Sequence, residues 1–140
     1  MTRYLDAAVI VAALSQEPLS EKARRIMAEG ASNVASTWGM VEAASGLAKK
    51  VRTKEMSEAE FELALRQLDS LGSDHLPLVS LNNEHMRVAM TYCVRAGLGL
   101  RAGDALHVAI AASLSATLVT SDIVMLNAAE VLGLSTQPLA

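Results

Sequence analysis

Tyr4-Leu5-Asp6-Ala7-Ala8-Val9-Ile10-Val11-Ala12-Ala13-Leu14 sets the plan of the whole chain. Tyr4-Leu5-Asp6 reads as a short buried strand, and the apolar segment Ala7 to Leu14 is long enough to be a helix buried on most sides. A carboxylate therefore stands where a strand gives way to a helix. The same arrangement returns near the other end, where Thr117 to Thr120 is a candidate strand, Asp122 follows at once, and a helix runs from Ile123 to Leu132 and stops at Gly133.

Between these two units the elements continue to alternate. Ser20 is placed to cap a helix through Ile26 that terminates at Gly30, and Asn33 to Ser36 forms a second strand. From Thr37 as cap, Trp38, Val41, Ala44 or Ser45, Ala48 and Val51 recur at helical spacing, which sets Glu42 one turn inside that helix. Ser57 with Glu60 makes a capping box opening a helix through Phe61, Leu65 and Leu68 that closes at Gly72. Leu76 to Leu81 holds a third strand, and Asn82 or Asn83 caps a helix carrying Met86, Val88, Met90 and Val94 toward Gly97. Gly97, Gly99 and Gly103 read as turn glycines. A helix from about Arg101 places Ala105, Leu106, Ala109, Ile110 and Ser113 on its inner face with Asp104 in its first turns, and Ser135 to Gln137 makes an edge strand. Crossovers of this length imply an α/β fold: one domain over residues 1–140, with a small parallel sheet of four to five strands covered by helices on both faces. Ligands of such sheets bind beyond the carboxyl ends of the strands.

Composition narrows the function. With 140 residues and 51% hydrophobic content the chain supports one complete core. Aromatics are 3%, which excludes base stacking as the main recognition device. A net charge of −3 gives no overall basic footprint for nucleic acid. Local charge comes from Lys49, Lys50, Arg52 and Lys54, and from Lys22, Arg24 and Arg25, each group being read first as a solvated helix face. The single Cys93 rules out an intramolecular disulfide and a thiolate metal site, fits a reducing cytoplasm, and is expected in the core, as are Trp38 and the methionines. Arg3 followed by Ala7 to Leu14 superficially resembles a signal peptide, but Asp6 adjoins the run and Gln16-Glu17-Pro18 follows it, so a cytoplasmic protein is expected, with no membrane span.

Asp6, Glu42, Asp104 and Asp122 each lie in an otherwise apolar stretch, at or near a strand-to-helix junction. An acid bordering a core loses hydration, and its pKa rises unless something positive stabilises the ionised form. Each acid taken singly could be a helix cap or a dipole partner. Four converging on one rim instead ask for a divalent cation, and oxygen-only ligands select Mg²⁺ or Mn²⁺ over zinc. Such ions activate water and stabilise charge on a phosphodiester in cleavage, so no protein nucleophile is needed. His107, one turn after Asp104, is within reach of the site but reads first as a structural histidine; His75 and His85 lack metal-ligand spacing and are expected at the surface.

The ordered segments Tyr4-Leu5-Asp6 with Val9-Ile10-Val11, Met40-Val41-Glu42-Ala43, Arg101-Ala102-Gly103-Asp104-Ala105-Leu106-His107-Val108-Ala109 and Leu118-Val119-Thr120-Ser121-Asp122 resemble the motifs of PIN-domain ribonucleases. The tail Leu126-Asn127-Ala128-Ala129-Glu130-Val131-Leu132-Gly133-Leu134 and the chain length look like the VapC-type toxins of bacterial toxin-antitoxin pairs. The resemblance implies a Mg²⁺- or Mn²⁺-dependent endoribonuclease that cuts transfer or ribosomal RNA and halts translation, with Asp6, Glu42, Asp104 and Asp122 as catalytic, metal-binding acids. It also implies a homodimer and a cognate VapB-type antitoxin that forms a heteromeric complex and places a basic side chain among the acids.

Two positions depart from the family pattern. Ala8 stands where Ser or Thr is usual two residues after the first acid, removing a hydroxyl able to bind water or phosphate; Thr120, Ser121 and Asn127 are the candidates to replace it. Ile123-Val124 follows the last acid where many relatives carry basic residues. An aspartyl-phosphate phosphatase is the competing enzyme class, but it requires Asp-x-Asp at the first strand and here the second position is Ala8. The other alternative is a catalytically weak or inactive PIN-fold module that binds RNA or protein.

Overall fold

The computed structural model describes residues 1–29 and 32–140. Gly30, expected to terminate a helix, lies outside the described residues. In chain order the elements are β1 (Thr2–Leu5), α1 (Ala7–Leu14), α2 (Ser20–Ala28), β2 (Ser32–Ser36), α3 (Thr37–Arg52), α4 (Glu58–Ser70), β3 (Leu78–Val79), α5 (Asn83–Cys93), α6 (Ala102–Ser113), β4 (Thr117–Thr120), α7 (Ile123–Val131) and β5 (Thr136–Pro138). A π-turn over Leu71–His75 and a 3₁₀ turn over Ala96–Leu98 complete the helical segments.

The strands form a five-stranded sheet in the order β3-β2-β1-β4-β5, and every pairing is parallel. Alternation along each strand builds two cores. Tyr4 and Leu118 join the layer under α5, α6 and α7, whereas their neighbours Leu5 and Val119 join the layer under α1 to α4. β1 and β4 are therefore buried on both faces, as the inner strands of a helix-covered parallel sheet are. From β1 the chain builds outward through β2 to β3, then returns to lay β4 on the other side of β1. The strand order reverses between β1 and β4, and at that switch point the two crossovers leave on opposite faces and open a crevice.

Several local expectations are met. Ser57 and Glu60 form the capping box of α4, and Asn82 caps α5. Gly99 and Gly133 take left-handed backbone conformations (φ 65° and 83°) that close their turns. β5 is an edge strand, one residue later than expected.

Other expectations are corrected. Ser36, not Thr37, caps α3 by accepting from the Gly39 N–H, and the Thr37 hydroxyl instead accepts from the Leu81 N–H. Ser20 lies inside the first turn of α2 and ties the preceding link, accepting from Glu17 N–H and donating to the Ser15 carbonyl. The third strand shrinks to Leu78–Val79 because only the end of β2 is available to pair with it. Gly103 is helical rather than a turn residue. His85 is buried: it completes the α5 capping box through Nδ1 and meets Ser113 Oγ through Nε2. Cys93 is exposed, as are Met86, Met90 and Val94, so the outer face of α5 is apolar and uncovered. Val41 is exposed as well; α3 turns Gly39, Ala43 and Leu47 inward instead. Among the described residues no helix is long and apolar enough to cross a membrane.

Candidate functional site

Two of the four acids sit at the switch point, each held by the start of the helix that follows it. Asp6 caps α1, its Oδ1 accepting from the Val9 N–H at 3.1 Å, and Asp122 caps α7, its Oδ1 accepting from the Met125 N–H at 3.1 Å. The helix-cap reading of a single acid is thus literally true of both. It does not account for their company. Thr120 Oγ1 donates to Asp6 Oδ2 at 2.5 Å and accepts from the Asp122 N–H at 3.0 Å, so one buried hydroxyl links the ends of β1 and β4.

Glu42 rises from the second turn of α3 and Asp104 from the first turn of α6. Both reach the same crevice. A cleft of about 340 Å³ is lined by Asp6, Glu42, Asp104, Asp122, Glu17 and His107, with Ala8, Val11 and Gly46 on its floor and walls. The four acids read from the sequence are brought together here, and Glu17 is a fifth that the sequence did not mark. Glu17 is offset by the Lys50 ammonium at 2.9 Å, so part of the expected basic cluster is spent inside the molecule. Arg24 is likewise committed, donating to the carbonyls of Ala13 and Ser15 at the end of α1.

The electrostatics follow from crowding. Burial pushes the Asp6 carboxyl above the usual carboxylate range, against the Thr120 hydrogen bond and the nearby His107, which pull it down. The Asp104 carboxyl is raised first by loss of hydration and then by repulsion from Asp122 and Glu42. The Tyr4 phenol, next to this cluster in the core, is also raised, chiefly by burial. Loss of hydration leads in all three, and the neighbouring carboxylates add to it.

His107 is the residue that sequence reasoning set aside. It is almost fully buried, yet its Nε2 bonds Glu42 Oε1 and its Nδ1 lies 2.7 Å from the Tyr4 hydroxyl. Its one-turn spacing from Asp104 was the available signal. Thr120 was considered as a replacement for the hydroxyl missing at Ala8; it is fully buried and committed to Asp6 and Asp122, whereas Ala8 is exposed on the cleft wall. The replacement therefore fails at Thr120.

Among the described residues no three His, Cys, Asp or Glu side chains converge closely enough to make a metal cage. The donor chemistry nevertheless fits a hard divalent cation: the cleft offers carboxylate oxygens and no thiolate. Mg²⁺ in particular is held by one or two carboxylates with waters filling the remaining positions, so a ready-made cage is not required.

Solved structures with the same fold cover nearly the whole chain. FitAcB from Neisseria gonorrhoeae superposes with a TM-score of 0.72 at 16% identity, over 98% of this chain and 97% of that one. VapBC2 from Rickettsia felis, bound to a DNA fragment from its promoter, gives a TM-score of 0.71 at 17% identity, over 99% and 98%. A toxin-antitoxin complex from Klebsiella pneumoniae gives 0.59 at 14% identity, over 86% of each chain. A search of the curated proteins by sequence found no match. The PIN domain model matches residues 3–131, spanning all four acids and every strand but the last, and the chain belongs to the PIN domain family.

Proposed function

We propose that this PIN domain is a Mg²⁺- or Mn²⁺-dependent endoribonuclease, a VapC-type toxin that cuts transfer or ribosomal RNA and is neutralised by a VapB-type antitoxin. The observation that carries this reading is the gathering of Asp6, Glu42, Asp104 and Asp122, from four separate segments of the chain, on one cleft at the switch point of a parallel sheet. The likeness to structures described as VapBC2 and as a toxin-antitoxin complex supports the antitoxin partner. Action in the cytoplasm fits a single unpaired cysteine and an RNA substrate.

The cation would take its carboxylate ligands from among Asp6, Asp104, Asp122 and Glu42, with waters filling the remaining positions. When bound, a divalent ion lowers the pKa of a water that attacks the phosphodiester and neutralises charge on the phosphate and the departing oxygen. The chain's own part is to orient the ligands and to favour their ionised form once positive charge arrives. Thr120 fixes Asp6 relative to Asp122, and the α1 and α7 N–H groups fix one oxygen of each. Asp104 contributes the least constrained carboxylate, and it faces Asp122 and Glu42 in the open part of the cleft. An antitoxin arginine placed among these acids would supply the charge of the ion while blocking the substrate. The uncovered apolar face of α5 suits a homodimer contact, since exposed Met and Val side chains gain by mutual burial.

The test is incubation of antitoxin-free protein with total RNA and Mn²⁺, beside Asp6→Asn and Asp104→Asn variants. Cleavage by the parent chain that both variants lose supports the mechanism. Cleavage that persists in both removes it, and a folded parent chain that binds RNA without cutting it favours the non-catalytic module.

A further inference from the structure

Below Glu42 a line of hydrogen bonds runs from the cleft into the core. Ser36 Oγ accepts from the Gly39 N–H at 2.9 Å and lies 2.7 Å from the Tyr4 hydroxyl. That hydroxyl lies 2.7 Å from His107 Nδ1, and His107 Nε2 bonds Glu42. Tyr4 and Ser36 are wholly buried and His107 nearly so; only Glu42 reaches solvent. The line thus joins β1, the cap of α3, α6 and the cleft.

Counting protons orients it. With the ring proton on Nε2 donating to Glu42, Tyr4 donates to His107 Nδ1, and the Ser36 hydroxyl, which accepts from Gly39, donates to the Tyr4 oxygen. This arrangement uses every proton once and needs no additional one. On its other side Glu42 rests against Gly103, where an added Cβ would come within 3.1 Å of Glu42 Oε2 and 3.3 Å of the Trp38 ring. Trp38 Nε1 donates to the Gly103 carbonyl at 3.2 Å and fixes that wall. One carboxylate oxygen is tied to the histidine and the other lies against Gly103.

We propose that His107, aligned by Tyr4 and Ser36, is a positioning residue that holds Glu42 ready to bind a divalent cation in the acidic cleft. The inference rests on the metal-dependent reading of that cleft. A carboxylate ligand held by a fixed outer donor gives up less freedom on binding, and loss of such a partner weakens metal binding roughly 10–100-fold.

The test measures Mn²⁺ binding to the full chain directly, by the electron paramagnetic resonance signal of free Mn²⁺, with folding checked by circular dichroism. His107→Gln carries an amide N–H out to about the position of Nε2, whereas His107→Asn reaches only as far as Nδ1. The expected result is binding weakened roughly 10–100-fold in His107→Asn and restored to within a few-fold in His107→Gln. Equal loss in both, or loss in neither, overturns the positioning role. Tyr4→Phe keeps the ring packing and removes only the hydroxyl, so it serves where a substitution at His107 fails to fold. Its expected effect is weaker Mn²⁺ binding that vanishes in a Glu42→Gln background; an effect that persists there overturns the proposal. A folded parent chain that binds no Mn²⁺ overturns the metal reading itself, and the positioning role with it. Mn²⁺ binding indifferent to position 107 overturns the positioning role alone.

Discussion

Thr120 and Asp6 lie 114 residues apart in sequence and share a 2.5 Å hydrogen bond in the fold. The donor is a fully buried hydroxyl, the acceptor a carboxylate with 3% of its surface exposed. Because Thr120 also accepts from the Asp122 backbone, the register of β1 against β4 and the placement of two acids are one structural fact. A buried ion without a metal survives only if it is hydrogen-bonded, and Thr120 is the side chain that meets this need.

Thr120→Val, nearly isosteric, should therefore lower stability by about 1–3 kcal/mol, since it leaves a buried carboxylate oxygen and a backbone N–H without their partner. Thr120→Ser should retain most of it. Urea denaturation of the metal-free proteins reads the difference. Equal stability of the Val and parent chains would separate the acid pair from the sheet register.

The raised carboxyls give a pH dependence of definite sign. An acid whose pKa is higher in the folded than in the unfolded state binds more protons when folded between the two values, so stability falls as pH rises through that window and returns below it. For Asp6 and Asp104 the window opens at the ordinary carboxylate value of 3.8 and extends upward. Metal-free protein should melt at progressively lower temperature as pH rises from there. Asp104→Asn should flatten that decline and melt above the parent at neutral pH while losing RNA cleavage. A fall in melting temperature for Asp104→Asn would argue that the acids do not strain the fold.

Gly103 should be intolerant for a reason confined to the site. A methyl group there meets Glu42 Oε2 and the Trp38 ring, so Gly103→Ala should push Glu42 off its seat and cut RNA cleavage by roughly 10–100-fold, as loss of a ligand's support does. Gly97→Ala is the control, because nothing lies within 4 Å of the added carbon. Equal activity in the two variants would show that Glu42 has room to move.

The parts of this fold that were legible in the sequence are those set by local pattern. β1, α1, β4 and α7 follow from apolar runs interrupted by an acid, and the α4 capping box from Ser57 and Glu60 alone. The switch point was legible only as a class of place, since strand order depends on which crossovers pack where. Ser36 in place of Thr37 as the α3 cap is a one-residue ambiguity between two hydroxyl residues, resolved by how β2 ends against β3. His107 was set aside because a histidine in an apolar helix looks the same in sequence whether its partner is solvent or Glu42; a separation of 65 positions carries no local signal. The exposed face of α5 escaped for the opposite reason. Met86, Met90 and Val94 have the composition of a core stripe, and only the packing shows that no element among the described residues covers them.

That face yields the remaining prediction. Met86, Met90, Cys93 and Val94 line an apolar groove of about 240 Å³ against Ala102 and Leu106, with Met90 69% and Val94 81% exposed. Exposed apolar area of this kind gains roughly 25 cal/mol per Å² when covered, and a contact between identical α5 faces covers it twice. A charge at its centre opposes that burial, because the carboxylate would have to shed its water without a cationic partner. Met90→Glu should accordingly convert a dimeric parent to a monomer in size-exclusion chromatography with light scattering, and Arg87→Ala, on the same helix but paired with Glu84, should not. The substitution is remote from the acids, so Mn²⁺ binding per chain should be unchanged. A parent chain that is monomeric at all concentrations, or a Met90→Glu dimer, would assign the apolar face to another partner than a second copy of itself.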